Sequence, residues 1–330
     1  MKRPMLSLMM LGLSAVGTLT AAQMPAAHLN PMIDLLRQQK PVFGLYAPSN
    51  RRPPAAPGTV APAVQLPART PAELAQDALG VPTSDFIFDG SMEGNFDRGY
   101  AAYTEFVNGV AQAGLFTRTP THRLHHPLVV KAPEIAPNPT LAATQISRQL
   151  DLGVSGVMFV SVESAQEVKT GLAAMRFASK GGTRPERVGT APSVWGLSEA
   201  EYKAKADLWP LNPQGELVNW TIVESREGLA HVREIAAVPG VGVLWPGAGT
   251  LRQVFSSTDA TGKRVFDEAG WEAAIQQVLA ACKEFKVACG YPANANDIEM
   301  RMKQGFSVFV MGWGEPGLKA IDLGRKAGGR

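Results

Sequence analysis

The chain is short of cysteine, charge and histidine, and each shortage removes a class of reading. Charged residues make up 18% of the 330 positions, the net charge is only +3 and no dense basic run occurs, so nucleic-acid binding has no electrostatic footprint. The two cysteines, Cys282 and Cys289, lack metal-ligand spacing. Cys282 reads as helical and Cys289 as the interior of the following strand; spacing alone does not establish a bridge, and two buried thiols are the expectation. Of five histidines, His122, His125 and His126 crowd just before an expected strand, where surface or packing roles are favoured over metal binding. His28 and His231 are isolated and read as structural. Walker and dinucleotide fingerprints are missing, as are internal repeats.

What is present is the composition of an ordinary globular chain, 45% hydrophobic, with enough length for one large core. Residues 1–22 have the three parts of a secretory signal: Lys2 and Arg3, an apolar stretch from Met5 to Leu19, and small residues at Thr20, Ala21 and Ala22. The expectation is cleavage after Ala22, a soluble secreted or periplasmic product and no stable membrane span in the mature protein, since Ser7, Gly12, Ser14, Gly17 and Thr18 interrupt a stretch barely long enough to cross a bilayer.

From residue 23 onward, strands and helices alternate. Strands are expected at Pro41–Ala47, Asp85–Asp89, Pro127–Lys131, Gly156–Ser161, Asn219–Glu224, Val241–Trp245, Lys286–Tyr291 and Phe306–Met311. Helical spacing falls between them at Phe106–Ala113, Leu141–Leu150, Ala165–Phe177, Arg226–Ala236 and Trp271–Phe285. A further helix, Pro71–Leu79, opens with Thr70 as N-cap, proline at the first helical position and Glu73 at N3. Eight such units argue for a closed (β/α)₈ TIM barrel in a single domain, residues 23–330, over an open doubly wound sheet. Two connections are long: a proline-rich insertion at 48–69 and the segment Ala178–Val218, which carries Arg184, Arg187, Trp195, Tyr202 and Trp209.

In such a barrel the chemistry sits at the carboxyl ends of the strands. Glu224 ends the fifth strand, Asp89 the second and Lys131 the third, with Glu93 shortly after Asp89. Glycine-rich turns follow the sixth and eighth strands at Trp245-Pro246-Gly247-Ala248-Gly249 and Gly312-Trp313-Gly314-Glu315. They are tight strand-to-helix turns whose amides could bind an anion, and Trp245 and Trp313 are candidates to wall a pocket. Glu163 is expected to cap or buttress the helix after strand four.

The run Glu224-Ser225-Arg226-Glu227 after one strand, and Trp245-Pro246-Gly247-Ala248-Gly249 after the next, resemble the HpcH/HpaI aldolase and citrate lyase family. The resemblance covers roughly Leu29 to Ala327 and implies the same barrel, with carbon–carbon bond cleavage or formation on a small keto or hydroxy acid through a metal-stabilised enolate. It implies Glu224 as ligand to a divalent cation, Mg²⁺ or Mn²⁺, Lys131 at the position of an arginine that binds substrate, and Asp89 in a proton-transferring run. It also places the segment Ala178–Val218 near the site and subunit contacts, and makes a homo-oligomer plausible.

Four positions depart from the pattern. Met92 stands where the resemblance implies a histidine, Lys131 replaces an arginine, Ile222 stands where a glutamine is common, and Gly249 replaces a metal-binding aspartate. Glu93 is the acid left to move a proton, and Lys131 could also form a Schiff base with a keto substrate. The rival reading is a non-catalytic binder of small carboxylates on a degenerate barrel.

Overall fold

A computed structural model describes residues 27–50, 67–114, 116–117 and 122–330. The expected signal segment 1–22 and most of the proline-rich insertion, 51–66, lie outside the described residues; Asn50 and Arg69 exchange hydrogen bonds across the ends of that insertion.

Eight parallel strands close a barrel: β1 (Val42–Tyr46), β2 (Phe86–Asp89), β3 (Leu128–Lys131), β4 (Gly156–Phe159), β5 (Leu217–Val223), β6 (Val241–Pro246), β7 (Ala288–Pro292) and β8 (Val308–Met311). Each pairs with its neighbour in sequence, Gly156 sits opposite Val218 across the long insertion, and Val42 opposite Val308 closes the ring. Every expected strand is found, within one to two residues at each end. The expected helix Pro71–Leu79 has the capping box that Thr70 and Glu73 promised. Three helical readings shift: Phe96–Ala113 and Glu268–Phe285 start earlier than the apolar spacing suggested, and the stretch 226–236 is two short helices meeting at His231.

Alternation along the strands separates two cores. Outward side chains pack against the helices, while inward ones fill the barrel with Phe86, Phe88, Trp220 and Trp245. Trp220 and Trp245 stack at 5.6 Å, and Phe86 meets Trp220 edge-on at 5.1 Å. These rings fit because the neighbouring strands offer glycine: a Cβ at Gly290 would stand 1.8 Å from the Trp245 ring, and one at Gly44 2.3 Å from Phe86.

The amino-terminal end of the barrel is plugged by the helix Pro31–Arg37, whose Met32, Ile33 and Leu36 join the interior core. Glu216, buried just before β5, clamps that plug by accepting the N–H groups of Leu29 at 3.0 Å and Asn30 at 2.9 Å, with His28 Nδ1 at 3.3 Å.

Two expectations are corrected here. Cys282 and Cys289 are joined in a disulfide, Cα to Cα 5.6 Å. The helix carrying Cys282 ends at Lys286 in a left-handed conformation, which turns the chain straight back into β7 and brings the two thiols together. The segment Ala178–Val218 lies against the amino-terminal side, away from the mouth: Trp195 Nε1 donates to the Gly153 carbonyl, the Tyr202 hydroxyl to that of Leu150, and buried Arg184 pairs with Asp151. Arg184, Arg187, Trp195 and Tyr202 find their partners around the turn before β4, and Trp209 pairs with Val218 at the start of β5 and packs against the interior core. A hairpin of Ser256–Thr258 and Arg264–Phe266, unseen in the sequence, follows β6.

The histidines before β3 have the surface and packing roles expected of them: His122 contacts the Trp195 carbonyl, His126 that of Val81, and His125 is exposed. Among the described residues no helix is long and apolar enough to cross a membrane.

Candidate active site

Continuing each strand's inward face to its carboxyl end defines one small cavity. Tyr46, Phe88, Lys131, Met158, Ile222, Glu224, Trp245, Pro292 and Val310 line it with the turn 247–250, around a volume of about 230 Å³. Among the described residues, Lys131 and Glu224 are its only ionisable side chains apart from the phenol of Tyr46. A larger groove of about 730 Å³ runs along the barrel's flank between the helices Pro139–Asp151 and Ala165–Met175, but among the described residues no carboxylate lines it. The mouth is therefore the candidate active site.

Lys131 extends from the last position of β3, and its Nζ donates to Glu93 Oε2 at 2.8 Å. Gln149 anchors the backbone beneath by donating to the Lys131 carbonyl at 2.8 Å. Glu93 comes from the turn after β2, which is shaped by Asp89: its Oδ1 accepts the N–H of Ser91 at 2.8 Å and the Ser91 hydroxyl at 2.5 Å. Asp89, Glu93 and Lys131 are thus brought together around one turn.

Met92 goes the other way. Fully buried, it packs in the outer core with Gln149 Nε2 3.5 Å from its sulfur, so the histidine position of the resemblance contributes an apolar side chain to the barrel–helix layer.

Tyr46, at the end of β1, packs edge-on against Phe88 at 4.9 Å and is 40% exposed. Partial burial of the phenol, then the negative charges of Glu93 and Asp89, push its pKa up to about 12, so it stays a neutral donor at physiological pH.

Glu224 is 6% exposed. Its Oε1 accepts the N–H of Ser161 at 2.9 Å, and Ser161 holds that N–H in place with a left-handed φ of 51°. Sequence reading missed Ser161, because nothing in its identity signals a backbone conformation that glycine usually supplies. It also missed Gln149. Glu163, expected at the helix after β4, instead accepts the hydroxyl of Ser225, the N-cap of the helix after β5, at 2.6 Å; Ser164 and Glu167 cap its own helix. Trp245, Gly247 and Ala248 line the cavity, whereas Trp313 is not among its lining and packs against the outer core.

A resident divalent cation does not fit this donor set. Glu224 is the sole carboxylate lining the cavity and gives one oxygen to Ser161, while Gly249 offers no ligand although a Cβ there would meet nothing within 4 Å. Among the described residues, no group of three or more His, Cys, Asp and Glu side chains could hold an ion.

Residues 119–314, more than half of the chain, match the profile of the HpcH/HpaI aldolase/citrate lyase family. The chain belongs to that family. Among curated relatives, hydroxypyruvate/pyruvate aldolase of Paraburkholderia phytofirmans is 29% identical over 152 residues, 46% of this chain and 55% of that protein. The 2-dehydro-3,6-dideoxy-6-sulfogluconate aldolase of Pseudomonas putida is 30% identical over 114 residues, 33% of this chain and 39% of that protein. The matched regions thus span about half the relatives' length or less. A family protein of Burkholderia cenocepacia J2315 superposes with a TM-score of 0.63 at 20% identity, covering 90% of this chain and 97% of its own, which establishes a shared fold. Membership in the HpcH/HpaI family supports carbon–carbon lyase chemistry as the broad class.

Proposed function

We propose that this protein cleaves or forms a carbon–carbon bond next to the keto group of a small 2-keto or hydroxy acid. The observation that carries the proposal is the contact of Lys131 Nζ with Glu93 Oε2 at 2.8 Å, which sets a base, itself just outside the cavity lining, against the cation that lines it. The Lys131 ammonium has donors left for the substrate's carboxylate and keto oxygen, and it stabilises negative charge as an enolate develops. Glu93 takes the proton from the adjacent carbon in the synthetic direction, or from the hydroxyl of the bond to be cleaved in the lytic direction. Asp89 is a positioning residue that shapes the turn bearing Glu93. Tyr46 supplies a neutral hydrogen-bond donor beside them. No step is assigned to a divalent cation.

The disulfide supports export, because such bridges persist in oxidising compartments. Export of the mature chain, which the segment 1–22 suggests, is part of the same proposal.

Enolisation is testable without the true carbonyl partner. Deuterium exchange into the methyl group of pyruvate, followed by proton NMR, is expected with the wild-type chain and should fall about 100-fold or more in Glu93→Gln and in Lys131→Met. Circular dichroism should confirm that both variants fold. Absence of exchange in the wild-type chain, for pyruvate and for larger 2-keto acids alike, would move the assignment to a non-catalytic carboxylate-binding protein.

A further inference from the structure

One oxygen of Glu224 is unaccounted for. Oε1 takes the Ser161 N–H, but Oε2 has no hydrogen-bonding or ionic partner among the described residues, although the side chain lines the cavity and is 94% buried, being 6% exposed. Gly247 keeps that oxygen open, since a Cβ at that position would stand 2.6 Å from it. A buried carboxylate of this kind is costly unless a positive charge meets it.

Charge counting identifies the complement. With Lys131 paired to Glu93 at 2.8 Å, the unpaired charge among the described residues that line the cavity is the negative charge of Glu224. A substrate that brought only its own carboxylate to Lys131 would place a second uncompensated anion in a cavity of about 230 Å³. A positive charge on the same ligand balances that ligand's own carboxylate, so the cavity becomes no more negative than it is empty, and it places a cation against Glu224, the carboxylate that lines the cavity. The wall fits as well: the Tyr46, Phe88 and Trp245 rings that line the same cavity as Glu224 favour an organic cation, and Ile222, Met158 and Val310 favour the aliphatic chain between two charged ends.

We propose that the cavity binds a small zwitterion, its carboxylate on Lys131 and its ammonium group on Glu224 Oε2. Resting on the reading of Lys131 as the carboxylate-binding cation, this narrows the substrate class to keto or hydroxy acids that also carry an amino group.

The test is calorimetric titration of the full chain with 4-aminobutanoate and 5-aminopentanoate, each beside the butanoate or pentanoate that lacks the amine. At least one amino acid should bind about tenfold more tightly than its acid, equivalent to about 1.4 kcal/mol. Glu224→Gln, which keeps the shape of the side chain, should bring the pair to parity while the simple acid binds at least as tightly as it does to the wild-type chain; that retained affinity shows the variant is folded. Lys131→Met should weaken both members of each pair. Parity in the wild-type chain would overturn the proposal, as would a preference that survives Glu224→Gln. So would binding of Mg²⁺ alone that Glu224→Gln abolishes, which would make a divalent ion the partner of Glu224. The two readings fail separately: pyruvate exchange with parity removes the zwitterion and keeps the lyase, whereas a Glu224-dependent preference without exchange keeps the zwitterion and removes the lyase.

Discussion

Glu216 and Glu224 flank the same strand, β5, and are buried to 3% and 6% exposure, yet they live under opposite regimes. At the floor of the barrel Glu216 accepts two backbone N–H groups and lies 3.3 Å from His28 Nδ1. At the mouth Glu224 has a single backbone donor on one oxygen and an open cavity at the other. A carboxylate whose lone pairs are filled by the protein holds the fold together; one left half-filled is open to a ligand. The same division runs through the two ends. The floor is tied by a helical plug and a disulfide, whereas the mouth contains a strained Ser161 and an ion pair on a turn.

The largest effect that would break this contrast is on stability. Glu216→Ala strands two buried amide donors and should cost about 3–5 kcal/mol in urea unfolding, while Glu224→Ala should cost no more than about 1 kcal/mol. Equal losses at the two positions would mean that the mouth carboxylate is also structural.

Next in size is the disulfide. The Cys282–Cys289 bridge closes a short loop, with a sequence separation of 7, and the double alanine variant should lose about 2 kcal/mol by the chain-entropy estimate. Pyruvate exchange should persist in that variant, because neither sulfur lines the cavity. Loss of exchange with retained stability would show that the floor and mouth are coupled.

The smallest effect is a titration at the mouth. Tyr46 is an acid whose folded pKa, about 12, lies above its ordinary value of 10.0. Its contribution to stability is therefore fully present below pH ~10 and is lost as pH rises through ~12. The difference in ultraviolet phenolate absorbance between wild type and Tyr46→Phe should show that late ionisation, and Glu93→Gln should move it downward by removing a repelling charge. Ionisation near 10 in the parent chain would place Tyr46 outside the influence of Glu93 and Asp89.

These contrasts also mark what could be read from the chain and what could not. Period-two alternation and turn residues located all eight strands, and Thr70 with Glu73 marked a helix start to the residue, because those signals arise from contacts between near neighbours. Knowing the strands was enough to place Asp89, Lys131 and Glu224 at the mouth, since all parallel strands of a barrel end on the same face. By contrast, Met92 and Trp313 sit beside site residues in sequence yet face the outer core, and Glu163 supports a helix one unit further on than expected. Those outcomes depend on which way a turn rotates its side chains, a choice made by packing.

Sequence by itself therefore determined the barrel, its strand order and the residues delivered to its carboxyl end, since local periodicity and chain order suffice for these. Only the tertiary structure decided that Cys282 meets Cys289, that Lys131 meets Glu93, and that Glu224 keeps one oxygen open to the cavity. Each of these is a meeting, or a failure to meet, between side chains brought within ångströms by the folded backbone, and no spacing along the chain measures that distance.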